Sequence, residues 1–129
     1  MNRKNISTGA KWEDIVGYSR AVRIGNTIEV SGTVSVLNGN LYGENDPYLQ
    51  TRRILEIIQS SLEEAGASIS DVIRTRMFVK DISMWEEIGR AHSEVFGSIK
   101  PATSMVEIRG LIGDGYLVEI EASAIVDNQ

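Results

Sequence analysis

Two glutamates and one histidine are the side chains whose placement best suits proton transfer. Glu119 and Glu121 alternate with Val118, Ile120 and Ala122, which puts both carboxylates on the polar face of one strand. Were that face enclosed, loss of water would raise a carboxylate's pKa and fit it for work as a base. His92 is the only histidine, and it falls on the apolar stripe of a helix. That position suits either a hydrogen bond in the core or a place beside a cleft. A single histidine leaves no multi-histidine metal site within one chain, and the absence of cysteine removes disulfides, thiolate nucleophiles and sulfur-ligated metals together. No serine stands in a nucleophile elbow. Gly110, Gly113 and Gly115 suggest a phosphate loop only at first sight: no Gly-Lys-Ser/Thr follows them, and the stretch reads as a turn.

The elements that must hold these groups follow from period and punctuation. The runs 19–24 and 27–36 read as strands joined by the two-residue loop Gly25-Asn26, with Ile28, Val30, Val34 and Val36 in alternation. Asn38-Gly39-Asn40 ends that unit in a turn. Asp46 caps a helix that begins at Pro47, carries Thr51, Ile54, Leu55, Ile58, Leu62 and Ala65 on one stripe, and stops at Gly66. A strand over 71–80 follows. Ser83-Met84-Trp85-Glu86 has the form of a capping box opening a second helix, whose inner face is Trp85, Ile88, His92, Val95 and Phe96 and whose end is Gly97. Strands over 102–109 and 116–126 complete the order ββαβαββ. This is an α+β fold in which right-handed crossovers place both helices on one face of a mixed sheet.

The other face of that sheet carries an inference of its own. Along residues 72–79 both alternate sets are apolar, Val72 with Phe78 and Ile73 with Met77 and Val79, so neither face suits open water while two helices cover only one. A symmetric oligomer satisfies the pattern, as would a third covering element within the chain.

Composition bounds the rest. A chain of 129 residues with 42% hydrophobic residues buries one core, and residues 1–129 are read as a single domain. No segment approaches the roughly 18 apolar residues of a membrane span, and Met1 to Asn5 lack the apolar run of a secretory signal. A soluble cytoplasmic protein is expected, with no membrane partner. A net charge of -5, with arginines scattered along the chain, argues against nucleic acid as a partner.

Several blocks together resemble the reactive intermediate deaminase family (Rid, or YjgF-like). They are Tyr18-Ser19-Arg20-Ala21-Val22, Gly25-Asn26-Thr27-Ile28, Val30-Ser31-Gly32, Glu64-Ala65-Gly66-Ala67-Ser68 with Asp71-Val72, Phe78-Val79-Lys80-Asp81 and Val118-Glu119-Ile120-Glu121-Ala122, in the family's order from Tyr18 to Val126. The resemblance implies a chorismate-mutase-like fold and a homotrimer with small-molecule clefts between neighbouring subunits. Its deaminating members hydrolyse enamines and imines such as 2-aminoacrylate to a 2-keto acid and ammonia, and no cofactor is implied. Carried over by position, Tyr18 lines the cleft, Ser31 and Gly32 sit beside the bound acid, and Glu119 orients or activates the water.

Two departures set this chain apart from the pattern it resembles. Where the family reads Lys-Pro-Ala-Arg-Ser, this chain has Lys100-Pro101-Ala102-Thr103-Ser104, so a neutral hydroxyl replaces a bidentate cation. Loss of such a pair from a desolvated site costs about 2–5 kcal/mol. The backbone amides beside Ser104 could still meet a carboxylate. Gly89 stands where many deaminating members carry an asparagine. Of the arginines on elements able to face a cleft (Arg20, Arg74, Arg76, Arg90 and Arg109), Arg20 and Arg109 are the chosen replacements, with His92 as a further cleft candidate. Two functions follow as expectations. One is hydrolysis of an imine, enamine or related intermediate assisted by Glu119. The other is a non-catalytic trimer that binds a small acid or amide.

Overall fold

The computed structural model describes residues 2–127. Along the chain run β1 (Arg3–Ile6), β2 (Ala21–Ile24), β3 (Thr27–Thr33), β4 (Val36–Leu37), β5 (Asn40–Leu41), α1 (Pro47–Glu64), β6 (Val72–Val79), α2 (Trp85–Phe96), β7 (Ala102–Glu107) and β8 (Val118–Ile125). Six strands form one sheet in the order β1-β2-β3-β8-β6-β7, while β4 and β5 make a separate small hairpin. All neighbours in the large sheet are antiparallel except β6 and β7, the pair connected through α2. The expected ββαβαββ order stands as the frame of this α+β fold, with β1, β4 and β5 added to it.

Local chemistry accounts for most of the boundaries. Gly25 takes a φ of +60° at the first position of the two-residue turn between β2 and β3, a conformation that costs glycine nothing. Asp46 caps α1 by accepting a hydrogen bond from the Leu49 amide at 3.0 Å, and Pro47 occupies the first turn, where no amide donor is missed. At the far end Gly66, at φ +84°, donates to the Glu63 carbonyl while Ala67 donates to that of Leu62, the paired bonds of a Schellman cap.

Both helices lie on one face of the sheet and touch each other. Ile54, Ile58 and Leu62 of α1 and Ile88 and Phe96 of α2 close over Ile28 and Val30, Met77 and Val79, and Val118, Ile120 and Ala122. Each large side chain so enclosed contributes about 1.5–3 kcal/mol from apolar burial. Gln50 is the polar exception. It is fully buried in α1, donates to the carbonyls of Gly43 and Gly115, and accepts from the Leu117 amide, which ties the loop before β8 to the helix.

Four expectations are corrected. The strand over 27–36 ends at Thr33, after a register shift against β8 between Val30 and Thr33. On β6 a second shift, between Val72 and Arg74, turns Val72 inward with Thr75, Met77 and Val79 and leaves Ile73 50% exposed. The face away from the helices therefore carries Arg74, Arg76 and Phe78 and is amphipathic. Ser83 does not cap α2: Asp81 caps a short 3-10 turn over Ile82–Met84 by accepting from Ser83, and α2 grows from that turn. Trp85, at its first position, is 56% exposed and lies off the buried stripe of Ile88, Ala91, His92 and Phe96.

Candidate functional site

The helix-free face of β3 and β8 brings five of the chosen residues together. Glu119 alternates with the buried Val118 and Ile120, so its side chain emerges on this face, directly over Gly32 of β3. A Cβ placed on Gly32 would stand 2.8 Å from Cδ of Glu119, inside van der Waals contact. Glycine at 32 is thus what lets the carboxylate lie against the backbone. Burial pushes the Glu119 carboxyl above its ordinary pKa, the nearby Glu121 carboxylate pushes it the same way, and the charge of Arg20 works against both.

Arg20 is 7% exposed and sits beneath this cluster. Its Nη1 donates to the Gly32 carbonyl at 2.8 Å and to the Thr33 hydroxyl at 3.0 Å, while its guanidinium carbon lies 5.4 Å from the Tyr18 ring centroid. Its Nε is buried without a hydrogen-bond partner. Arg20 therefore holds the backbone on which Glu119 rests. Ser31 donates its hydroxyl to the Ser19 carbonyl at 2.6 Å and its amide to that of Arg20 at 2.9 Å, so both of its donors face the protein. Tyr18 follows a five-residue π-helical turn over Glu13–Gly17 and is 36% exposed beside Ser31, at the mouth of an open cleft of about 470 Å³. Glu13 anchors that turn. Burial alone would raise its pKa, but hydrogen bonds from the Thr8 and Ser7 hydroxyls and the Thr8 amide hold it below the ordinary carboxylate value.

The remaining chosen residues lie elsewhere. Thr103 pairs in register with Thr75 across β6 and β7, and its hydroxyl turns to the helix side of the sheet. There it meets the Thr75 hydroxyl, which in turn lies 2.9 Å from Nε2 of His92. Burial keeps the pKa of His92 below its ordinary value, and the ring packs 4.7 Å from that of Phe96. This is the core-histidine alternative, satisfied by one hydroxyl. The relay also sets the polarity of Thr103. If Nε2 lacks a proton, Thr75 donates to it and Thr103 donates to Thr75. If Nε2 carries one, His92 donates to Thr75, Thr75 donates to Thr103, and the Thr103 proton points at the Thr75 carbonyl 3.2 Å away. In both cases the Thr103 hydroxyl is engaged with Thr75.

Ser104, one residue on, emerges on the opposite face and accepts a hydrogen bond from Nη2 of Arg74 at 2.8 Å. Arg109 is exposed on the loop after β7 and is not brought to the Glu119 cluster. Neither Thr103 nor Ser104 adjoins that cluster within one chain, because β6 stands between β7 and β8. Arg74, rather than Arg109, is the arginine that reaches Ser104. Its one available signal was the strand alternation that puts it on the same face as Glu121, and that signal is blurred by the register shift beside it.

Among the described residues no cluster of histidine, cysteine, aspartate or glutamate could hold a metal ion, and no helix is long and apolar enough to cross a membrane.

Comparison with known proteins agrees with this arrangement. Residues 8–126 match the family model described as endoribonuclease L-PSP. A RutC family protein of Pyrococcus abyssi is 36% identical over 126 residues, which cover 96% of this chain and 98% of that one. A crystal structure from Mycobacterium tuberculosis, of a member of the YjgF/YER057c/UK114 family, superimposes with a TM-score of 0.89 at 48% identity, covering 97% of this chain and all of that one. A Rid protein of Yersinia pestis gives a TM-score of 0.86 at 32% identity over 97% of this chain and the whole of that one. The sheet with two helices on one face is thus the chorismate-mutase-like fold of these proteins, and the chain belongs to the endoribonuclease L-PSP family, also called YjgF or Rid.

Proposed function

We propose that this protein hydrolyses a reactive imine, enamine or related small molecule in a cleft shared between subunits, with Glu119 handling the water. The observation that carries this reading is the Glu119 carboxylate, half-buried over Gly32 and raised above its ordinary pKa by burial and by Glu121. A carboxylate with an elevated pKa is a competent base near neutral pH, and Arg20 secures the strand beneath it. In the reaction, an enamine first takes a proton from water at its β-carbon to become the imine; water then adds to the carbon of the C=N bond as Glu119 takes one of its protons. The nitrogen is protonated, the C–N bond breaks, and ammonia leaves as the carbonyl forms.

Tyr18 and Ser31 are proposed to wall the substrate, and no resident cofactor is needed for the step. Because β7 lies two strands from β8, the reading requires a second copy of the chain to bring Ser104 and Thr103 up to the Glu119 cluster. A homotrimer supplies this, and it also covers the amphipathic face of β6. The residues of this chain do not suit an endoribonuclease. Its one histidine is tied to Thr75 inside the protein, and its net charge of -5 repels a polyanion.

One observation favours a second reading. Thr103, a neutral hydroxyl engaged with Thr75, leaves no cation at the position where the family carries its carboxylate-binding arginine, which suits a trimer that binds a small molecule without turning it over. The test is ammonia release from freshly generated imines, 2-aminoacrylate among them, measured over the buffer rate. Acceleration that is lost in Glu119→Gln supports the hydrolase. Protein that is folded and oligomeric but gives no acceleration supports the binding module.

A further inference from the structure

The two hydrogen bonds of Arg20 do not use its charge. One nitrogen, Nη1, makes both, to the Gly32 carbonyl at 2.8 Å and the Thr33 hydroxyl at 3.0 Å, and both acceptors are neutral. Thr33 passes its own proton to the Ser31 carbonyl at 2.8 Å, so the two side chains together serve the carbonyls of the irregular stretch where β3 shifts against β8. An uncharged amide is chemically sufficient for that. Arg20 is nonetheless 7% exposed, its Nε is buried without a hydrogen-bond partner, and no acidic side chain lies within ion-pair distance of it among the described residues. A charge withdrawn from water in this way is unfavourable unless something nearby answers it.

Two carboxylates feel that charge, and they are served differently. Glu13 accepts hydrogen bonds from the Ser7 hydroxyl and from the hydroxyl and amide of Thr8, so its ionised form is secured without Arg20. Glu119 accepts none from the described residues. It lies where a Cβ of Gly32 would stand, and Arg20 holds the carbonyl of that same residue, so cation and carboxylate meet at one glycine. The other charges near this face are committed elsewhere. Arg76 of β6 lies 4.0 Å from Glu121, Arg74 donates to Ser104, and Phe78, the residue opposite Glu119 on β6, is uncharged. Arg3 lines the open cleft with Tyr18 and Ser31, but it is exposed and donates to Asn5, where solvent screens its charge.

We infer that Arg20 is a positioning residue whose charge, and not only its hydrogen bonds, keeps Glu119 ionised in its half-buried place over Gly32. This role rests on the hydrolytic reading given above and adds to it the group that keeps the base usable. Without the cation, burial and Glu121 act on Glu119 unopposed, and its carboxyl holds its proton to a higher pH.

The test follows the side-chain carboxyl carbon of Glu119 by NMR through a pH titration of the full-length protein, the signal being identified by its absence in Glu119→Gln. In Arg20→Gln, which keeps an amide donor without the charge, Glu119 titrates at higher pH than in wild type. Arg20→Lys restores the charge and most of the wild-type titration. Ammonia release in Arg20→Gln falls about tenfold on the rising limb of the pH profile and stays within about threefold of wild type on the plateau. Thermal melts check folding, and Arg20→citrulline, which keeps the shape and donors of arginine without its charge, stands in if Arg20→Gln does not fold. A Glu119 titration that is the same in wild type and Arg20→Gln, or one displaced as far by Arg20→Lys as by Arg20→Gln, overturns the role and leaves Arg20 a structural tie. A titration that moves with the charge at position 20 in a protein releasing no ammonia sinks the hydrolase and leaves the role of Arg20 standing. Ammonia release that needs Glu119 but keeps its pH profile in Arg20→Gln does the reverse.

Discussion

At the scale of single residues, the account turns on one carboxylate and the glycine beneath it. In Gly32→Ala the new Cβ would fall 2.8 Å from the end of the Glu119 side chain, which is free to swing away. We expect a stability loss under about 1 kcal/mol by thermal melting, together with loss of ammonia release as complete as in Glu119→Gln. The two variants part in their stability. Because the folded state raises the pKa of Glu119, the favourable contribution belongs to the protonated form: it is full below the unfolded pKa and is lost as pH rises through the folded one. At neutral pH the ionised side chain is a burden, so Glu119→Gln melts higher than wild type by the equivalent of up to about 1 kcal/mol, the site being partly solvated, and the gain disappears in acid. Equal melting temperatures across that range would show that burial does not act on this carboxylate. Alternation along 118–122 was enough to put Glu119 on a polar face. The contact with Gly32 was not legible, since it depends on a register shift in β3 that no local pattern announces.

At the scale of elements, the helices were the most readable parts, because cap, proline, stripe and glycine agree over α1. Strands were less so. β1 is not legible in the sequence because Arg3-Lys4-Asn5 is polar, and it pairs along the exposed edge of β2. Ile73 lies on the face opposite to the one that alternation along β6 predicts, since one shifted residue exchanges the two faces of a strand. Thr103 and Ser104 show the same sensitivity. As neighbours on one strand they point to opposite faces, so the resemblance at Thr103 does not reveal that, of the two, Ser104 shares a face with Glu119. The hydrogen bonds that set the loop before β8 were likewise invisible. Gln50→Leu leaves the carbonyls of Gly43 and Gly115 and the amide of Leu117 without their partner, and we expect a loss of about 2–4 kcal/mol by denaturant unfolding. A loss below 1 kcal/mol would mean that the loop finds water as readily as glutamine.

At the scale of the whole molecule, the helix-free face decides the outcome. It combines Phe78 with Arg74, Arg76, Glu119 and Glu121, too polar for a core and too apolar for a surface left open. We expect light scattering to give about three times the 14.2 kDa chain mass, and Phe78→Asp to shift that mass toward the monomer. A monomeric wild type would leave the Glu119 cluster without the β7 groups of a second copy. The most direct test of the central claim, that Glu119 is the base of a hydrolytic site, is the pH dependence of ammonia release from 2-aminoacrylate. The rate over buffer should rise with an apparent pKa above that of an ordinary carboxylate, level off toward neutrality, and vanish at every pH in Glu119→Gln. A rate that ignores pH through that range, or that survives in Glu119→Gln, would contradict it.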